Sequence, residues 1–198
     1  DASTTLTQAN AITTLAALIG DSSATFSFTD AAGLATGTVD GTVGVTTNTG
    51  TITLVATTAN ITVGAVVNSG AGAVVITALA DDASITSTAA ITGTGSGGVS
   101  LTADDMTILV GTIVATGQVV TLKSSTAGDA VDLGDTGDDT GNTLELSDAE
   151  LDRTTATTPR IGATNHGALV ISAALSLSSR SVPRLSLSSL PAPDHPAP

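Results

Sequence analysis

A pair of apolar residues two positions apart recurs along the chain at a nearly constant interval. The first members of seven such pairs lie 26, 22, 25, 21, 24 and 25 residues apart. Alternation of this kind is typical of a strand with one buried face, and a fixed interval indicates a stacked repeat. The seven pairs are Phe26/Phe28, Ile52/Leu54, Val74/Ile76, Val99/Leu101, Val120/Leu122, Leu144/Leu146 and Leu169/Ile171.

Two further apolar positions follow within the repeats. One stands nine residues after a member of the preceding pair, and Ile91 and Ile113 supply the other. Turn-forming residues separate these positions, so each repeat is predicted to contain three short strands joined by turns. We therefore expect an all-β chain that forms a parallel β-helix (β-solenoid) of about seven coils of 21–26 residues, with corresponding positions stacked above one another. The nine-residue position is occupied by Ile61, Ile85, Ile108 and Val131.

Two other architectures fit the pattern less well. A helical repeat needs ten or more residues with apolar positions at helical spacing, and only residues 9–20 approach that pattern. An antiparallel sandwich needs hairpin turns between its strands, and we expect no antiparallel hairpin in this chain.

The composition limits which side chains can form the core and which partners the chain can bind. Hydrophobic residues make up 41% of the chain but aromatic residues only 1%, so the core must be built from aliphatic side chains. The formal net charge is −13, and no Lys or Arg precedes Lys123. Nucleic acid and anionic membrane surfaces both need a basic face, so neither is expected as a partner. No apolar run is long enough for membrane insertion, and the absence of Cys excludes disulfides.

The repeats resemble those of a known family. Residues 50–63 (GTITLVATTANITV) and 144–177 (LELSDAELDRTTATTPRIGATNHGALVISAALSL) are similar to segments of long secreted exoproteins of the filamentous haemagglutinin type. The second segment resembles a block of the form L-x-L-(S/T)-D-A-E-L-D-R, a spacer, R-I-G and G-A-(L/I)-x-(V/I)-S. The resemblance covers about residues 12–177. It departs from the block at Pro159, where a small apolar residue is usual, and it fades after Leu177.

This resemblance implies a right-handed β-helix shaft, export to the extracellular space or the bacterial cell surface, and a role in attachment, aggregation or biofilm formation. We accordingly expect residues 1–177 to form the β-helix domain and residues 178–198 a Pro/Ser-rich tail or cap. The tail holds five of the six Pro residues. Two readings of it remain open, a loose terminus or a strand over residues 185–190 that pairs with an exposed edge of its own β-helix or of the next subunit.

An acidic segment, residues 129–145, is the one candidate for metal binding. Carboxylates in a loop are typical calcium ligands, which makes Asp135, Asp138 and Asp139 weak calcium candidates. The segment fails the EF-hand spacing and the Gly-Gly-x-Gly-x-Asp nonapeptide. The expected default is therefore a solvated acidic loop and no cofactor.

No residue pattern predicts catalysis. The charged residues of 148–160 are expected to form a surface salt-bridge group, and His166 and His195 are expected to be exposed, with no nucleophile nearby. Carbohydrate-cleaving sites usually present aromatic platforms, whereas Phe26 and Phe28 occupy core positions. The main hypothesis is a structural or adhesive segment of a secreted surface protein, and not an enzyme. The alternative is a subunit that polymerises end to end into a filament, and a polysaccharide lyase-like enzyme ranks third. The receptor or glycan to which the chain would adhere is not indicated.

Overall fold

The computed structural model describes residues 2–137, 141–176 and 184–189. Nearly all of its regular structure is parallel strands, stacked as the coils of a β-solenoid of about seven turns. The predicted fold is therefore confirmed. Each coil contributes strands to three faces, and the aliphatic side chains of all three faces fill one continuous core.

The strands of each face are adjacent in space although one coil separates them in sequence. The first face contains β1 (Thr4–Asn10), β4 (Phe26–Asp30), β9 (Ile52–Ala56), β12 (Val74–Ala78), β15 (Val99–Thr102), the second half of β17 (Ile113–Lys123), the second half of β20 (Thr154–Gly162) and β22 (Ser186–Ser188). The third face contains β3 (Ala17–Ile19), β8 (Val45–Thr47), β11 (Val67–Asn68), β14 (Ile91–Thr92) and the first halves of β17 and β20. The second face contains β2 (Thr14–Leu15), β5 (Leu34–Thr36), β10 (Ile61–Val63), β13 (Ser84–Ser87) and β16 (Asp105–Ile108), followed by β18 (Ala130–Leu133), β19 (Thr143–Leu146) and β21 (Leu169–Ile171).

The first five apolar pairs stack in register on the first face. Phe26 lies beside Ile52, and the column continues through Val74, Val99 and Val120. A second column lies two positions further along each strand, and its inner members are at most 4% exposed. It runs through Leu6, Phe28, Leu54, Ile76, Leu101, Leu122, Ile161 and Leu187.

The sixth and seventh pairs are not on this face, so their predicted position was wrong. The strand that follows Val120 is β20, which brings Pro159 beside Val120. Leu144 instead pairs with Val131 on the second face, and Leu169 pairs with the other side of Val131. Alternation at the right interval identified these residues as strands, but alternation does not say to which face of a coil a strand belongs.

The predicted stacking of the apolar residues that follow each pair by nine positions is only partly confirmed. Ile61 and Ile85 are directly paired, and the third position, Ile91 beside Ile113, is confirmed. Met106 pairs with Ile85, however, and Ile108 lies two residues further along, beside Ser87. The turn before β16 (residues 103–104) is shorter than the turn before β13 (residues 79–83), so a constant offset of nine residues does not reach the same position in both coils.

β19 is inserted out of sequence order. It pairs with β18 on one side and contacts β16 on the other, so it lies between β16 and β18 although it follows both. Residues 134–142 connect β18 to β19, and since the two strands are parallel this connection must return along the strand direction. At this point the second face therefore contains one strand more than a regular coil would contribute.

One antiparallel hairpin interrupts the parallel pattern, contrary to expectation. It joins β6 (Thr38–Val39) to β7 (Thr42–Val43). The two turn residues, Asp40 and Gly41, have φ values of 47° and 79°. Positive φ at both central positions is the signature of a type I′ turn, which Asp-Gly favours. This Asp-Gly dipeptide is the sequence signal for the hairpin.

A single turn of helix, α1 (Asp148–Asp152), starts where β19 ends. Ser147 caps it through a reciprocal capping box in which its hydroxyl accepts from the Glu150 N–H, and the Glu150 carboxylate accepts from the Ser147 N–H. The other carboxylate oxygen of Glu150 accepts from the Ile108 N–H at 2.8 Å. Glu150 therefore satisfies a backbone donor of β16 at the place where β19 is inserted.

The last described strand, β22, pairs in parallel with β20 of the same chain. Ile161 lies beside Leu187, and Leu185 packs against the core. The edge of β20 is thereby covered over the three residues of β22. Of the rest of the tail, residues 177–183 and 190–198 lie outside the described residues.

Candidate functional site

The acidic segment is not a separate loop, because it includes β18 and most of β19. Asp135 accepts a hydrogen bond from the Gly137 N–H at 3.0 Å, which forms a local Asx turn. The other two calcium candidates, Asp138 and Asp139, lie outside the described residues. Among residues 2–137, 141–176 and 184–189, no three His, Asp or Glu side chains are arranged to hold a metal ion.

Two other carboxylates of the acidic segment lie next to one another on the adjoining strands. Asp132 of β18 and Glu145 of β19 are register partners, and Glu145 is only 3% exposed. Like charges at directly opposed positions destabilise a sheet. This part of the second face therefore concentrates negative charge over the inserted strand.

A second set of carboxylates occupies the corner between the first and second faces. The corner turns before β13, β16 and β18 each place Asp residues there, and the corner carboxylates are Asp81, Asp82, Asp104 and Asp129. Asp104 is 2% exposed and Asp129 is 5% exposed. Their spacing of 25 residues equals one repeat, so the repeat interval was the signal that could have identified them.

Asp104 is held as a carboxylate by the turn of the next coil. One oxygen accepts from the Ser125 N–H, the Ser125 hydroxyl and the Thr126 N–H at 2.7–2.8 Å. The other accepts from the Thr126 hydroxyl at 2.7 Å and from the Asp82 N–H at 3.2 Å. Burial raises the pKa of Asp104, but the hydrogen bonds from Thr126 and Ser125 outweigh it and hold the pKa below its ordinary value.

The pKa of Asp129, at the end of the same turn, is shifted in the opposite direction to that of Asp104. Burial, followed by the negative charge of Asp104 and a hydrogen bond with that carboxyl group, raises the pKa of Asp129 from 3.8 to about 6. The Ser124 hydroxyl donates to Asp129 at 3.3 Å, which opposes the shift. Asp129 is therefore the carboxyl group of this corner that gains a proton more readily.

His166 is buried, so its expected exposure was wrong. Its side chain is 0% exposed, and neither ring nitrogen has a hydrogen-bond partner of normal geometry. Burial and the charge of Lys123 lower the pKa of His166, although the Ser124 carbonyl and Asp104 act against them. The turn that carries His166 follows β20 and stacks on the turn 124–129, a placement that no local sequence signal indicates. His195 lies outside the described residues.

The charged group of residues 148–160 is distributed among structural contacts. Glu150 is 8% exposed and serves the capping box and Ile108. Asp148 accepts from the N–H and hydroxyl of Ser176 at 2.7 and 2.8 Å. Arg153 donates to the Ala149 carbonyl, and Arg160 lies on the exposed side of β20. These side chains do not converge on a common point at which a substrate could be held.

The outward positions of the three faces carry short side chains. Register pairing aligns them in columns that are half-buried or exposed and dominated by Thr, Ser and Val. The columns are Ser27, Thr53, Val75, Ser100 and Thr121 on the first face; Ala35, Thr62, Thr86 and Thr107 on the second; and Thr46, Asn68, Thr92, Val114 and Thr155 on the third. Both Phe residues point inward, as predicted, and are 3% and 4% exposed.

The described part of the chain contains no helix with the length and hydropathy needed to cross a membrane. No protein-family model, no curated protein and no solved structure matches the chain. The β-solenoid and its stacked corner carboxylates are the structural features that bear on function.

Proposed function

We propose that this chain is a structural and adhesive segment of a secreted bacterial cell-surface protein. The observation that carries the proposal is the stacked register of the coils, which converts a repetitive sequence into three long faces of short hydroxyl and aliphatic side chains. A surface of this kind can act as a spacer and can make many weak contacts along its length. Multiple weak contacts on one rigid support combine into strong attachment.

The arrangement of the acidic residues supports a structural role over an enzymatic one. A glycoside-cleaving site needs two carboxyl groups that face a substrate across the scissile bond. The carboxyl pair Asp104 and Asp129 is buried in a corner and bonded to the turn of a neighbouring coil. A polysaccharide would have to displace that turn to reach the pair, so a lyase-like function is the weakest of the three hypotheses.

The adhesive role can be tested by displaying the full chain on cells of a non-adherent bacterial strain. Retention under flow is measured on bare glass and on epithelial-cell monolayers, against the same strain without the chain. We expect greater retention of displaying cells on at least one surface. Equal retention on both surfaces would contradict adhesion and leave only the role of a spacer.

Two matched variants locate the contact surface. Thr77→Lys/Thr102→Lys alters directly paired outward positions of the first face, and Thr62→Lys/Thr86→Lys alters directly paired outward positions of the second face. Both variants add the same charge without changing the core. If one face makes the contact, only the variant on that face reduces retention.

A self-polymerising filament is a second candidate, because both ends of the solenoid expose apolar side chains. In the first coil Leu6 is 46% exposed and Leu18 is 72% exposed, and at the other end Ile171 is 52% exposed. Head-to-tail contact would bury these apolar side chains.

Electron microscopy of the purified chain tests this candidate. Regular fibres would support it. Because β22 covers the edge of β20, removal of residues 177–198 should then increase fibre formation by exposing that edge. Single short rods in both preparations would exclude polymerisation under those conditions.

A further inference from the structure

The side of the solenoid that lies opposite the acidic corner carries almost no charge. This neutral side consists of the third face from β3 to β17 and of the segments that lead into its strands from the second face, namely the hairpin β6–β7 and the turns 64–66, 88–90 and 109–112. Among these described segments, Asp40 at the tip of the hairpin is the one charged residue. The net charge of −13 is therefore carried almost entirely by the rest of the chain.

Exposed apolar side chains mark one end of the neutral side. The Gly44 N–H donates to the Gly37 carbonyl at 2.7 Å, which closes the base of the hairpin, and Val39 and Val43 are exposed on it. The strand β7 contacts β3, whose outward residue Leu18 is 72% exposed. The hairpin and β3 therefore form one apolar patch on the first two coils.

A second apolar patch lies at the other end of the neutral side. Leu109 and Val110 open the turn before β17, and both are exposed. Four strand-to-strand steps separate β3 from β17 on the third face, which corresponds to about 19 Å. The outward residues of the third-face strands between the two patches are short and neutral. They are Thr46, Asn68 and Thr92.

We propose that the neutral side is an interface through which two copies of the chain pack side by side, with their axes in opposite directions. Two chains that each carry a net charge of −13 repel one another, and the neutral side is where their surfaces approach with the least repulsion. Contact there removes both apolar patches from water, which supplies the favourable free energy. A two-fold arrangement places the hairpin patch of each copy on Leu109 and Val110 of the other.

The distribution of charge along the rod favours opposite directions. Nine of the 18 acidic residues lie within residues 129–152, beyond the end of the neutral side. Parallel copies would bring these two acidic regions side by side. Antiparallel copies hold them at opposite ends of the pair, where their repulsion is weakest.

The size of the neutral side indicates a weak association. Its five stacked strands extend for about 24 Å, and one strand with the turn before it spans about 20 Å. The contact is therefore roughly 500 Å² per copy, below the roughly 800 Å² that each partner buries in a standard stable interface. We expect a dimer that forms at high protein concentration and dissociates on dilution.

Sedimentation velocity of the full chain, over a wide range of protein concentration at physiological ionic strength, measures this equilibrium. Val43→Lys and Val110→Glu each place an unpaired charge in the contact, and each should weaken dimerisation by at least about tenfold. Leu79→Lys and Leu79→Glu are the matched controls, because Leu79 is an exposed apolar residue at the acidic corner. They should behave as wild type, since distant charges are screened. Circular dichroism checks that all four variants keep their strand content.

An equimolar mixture of Val43→Lys and Val110→Glu tests the direction of packing. In an antiparallel pair the introduced lysine of one copy faces the introduced glutamate of the other, so the mixture should regain wild-type dimerisation. In a parallel pair the two introduced charges do not meet, and the mixture would stay weak. A closed two-fold contact also stops at two copies, whereas end-to-end stacking would give a series of growing assemblies.

Several results would overturn the proposal. They are a wild-type chain that stays monomeric at every concentration, assemblies that grow beyond two copies, a dimer that the Leu79 controls weaken as much as Val43→Lys does, and a mixture no stronger than either variant alone. Vesicles of phosphatidylcholine test the other occupant of an apolar surface. A monomeric chain that binds them, and that loses the binding in Val43→Lys, would assign the neutral side to a lipid surface instead of a second copy.

Discussion

The column that runs from Leu6 to Leu187 makes a quantitative prediction about position along the solenoid. Leu101 lies in the middle of the column between Ile76 and Leu122, and it is 0% exposed. Leu101→Ala removes three carbon atoms, which corresponds to a loss of about 2.4 kcal/mol of transfer free energy at about 0.8 kcal/mol per methylene group. The hydrogen-bonded strands above and below hold the neighbouring side chains at a fixed spacing, so the cavity cannot collapse. Including the cavity, we expect a loss of about 3–4 kcal/mol in the free energy of unfolding.

The same substitution at the end of the column should cost far less. Leu6 is 46% exposed and has one neighbour in the column, Phe28. Leu6→Ala should therefore lower the free energy of unfolding by about 1 kcal/mol or less. Ser100→Ala, on the outward side of the strand that carries Leu101, should change it by no more than about 0.5 kcal/mol.

Urea unfolding followed by circular dichroism measures all three variants. The essential result is the order of the effects, with Leu101→Ala largest, Leu6→Ala smaller and Ser100→Ala smallest. If Leu101→Ala and Leu6→Ala lowered the free energy of unfolding equally, or if Ser100→Ala were as costly as Leu101→Ala, the side chains would not be stacked as described and the reasoning would fail.

Three further predictions concern the corners and the insertion. A Cβ atom at Gly72 would overlap the Gly50 carbonyl of the preceding coil, whereas one at Gly20 would contact nothing. In thermal unfolding, Gly72→Ala should therefore lower the midpoint sharply, and Gly20→Ala should leave it unchanged or raise it slightly. Glu150→Ala leaves the Ile108 N–H unpaired and should cost about 2–3 kcal/mol in urea unfolding, while Glu150→Gln, which keeps an acceptor, should cost about half as much; equal losses would argue against the bond to Ile108. His166→Leu removes a buried imidazole without hydrogen-bond partners and should stabilise the chain by about 1–2 kcal/mol, with a larger gain at pH 5 than at pH 7.5 because the wild type loses stability as pH falls through 6.5. A smaller gain at pH 5 would show that His166 is not shielded from protonation by burial.

The sequence predicts the solenoid well because stacking demands a periodic pattern. Nearly constant coil lengths place Phe26, Ile52 and Val74 above one another, and the interval between them is visible without any structure. The same periodicity fails from Leu144 onward, since β19 keeps the alternation of a strand but joins another face. Alternation records that one side of a strand is buried, and every face of a solenoid buries one side.

The corner carboxylates were harder to predict for a different reason. Asp residues in turns are usually solvated, so Asp104 and Asp129 read as ordinary turn residues. Their burial arises from the stacking of turns from successive coils, which depends on the register of the whole solenoid. His166 is buried by the same stacking. A recurrence of Asp at the repeat interval is visible in the sequence, but only the structure shows that Asp104 and Asp129 are both buried in one corner.

The insertion of β19 has a consequence for the order in which the coils can assemble. When the chain is synthesised from its N-terminus, β18 is available before β19, and the edge of β16 is then still unpaired. β18 can then dock directly onto β16, as the regular continuation of the solenoid would have it. If β18 docks there first, that contact must be broken before residues 143–146 can enter the gap. The insertion therefore requires the last coils to leave the edge of β16 open until β19 has formed.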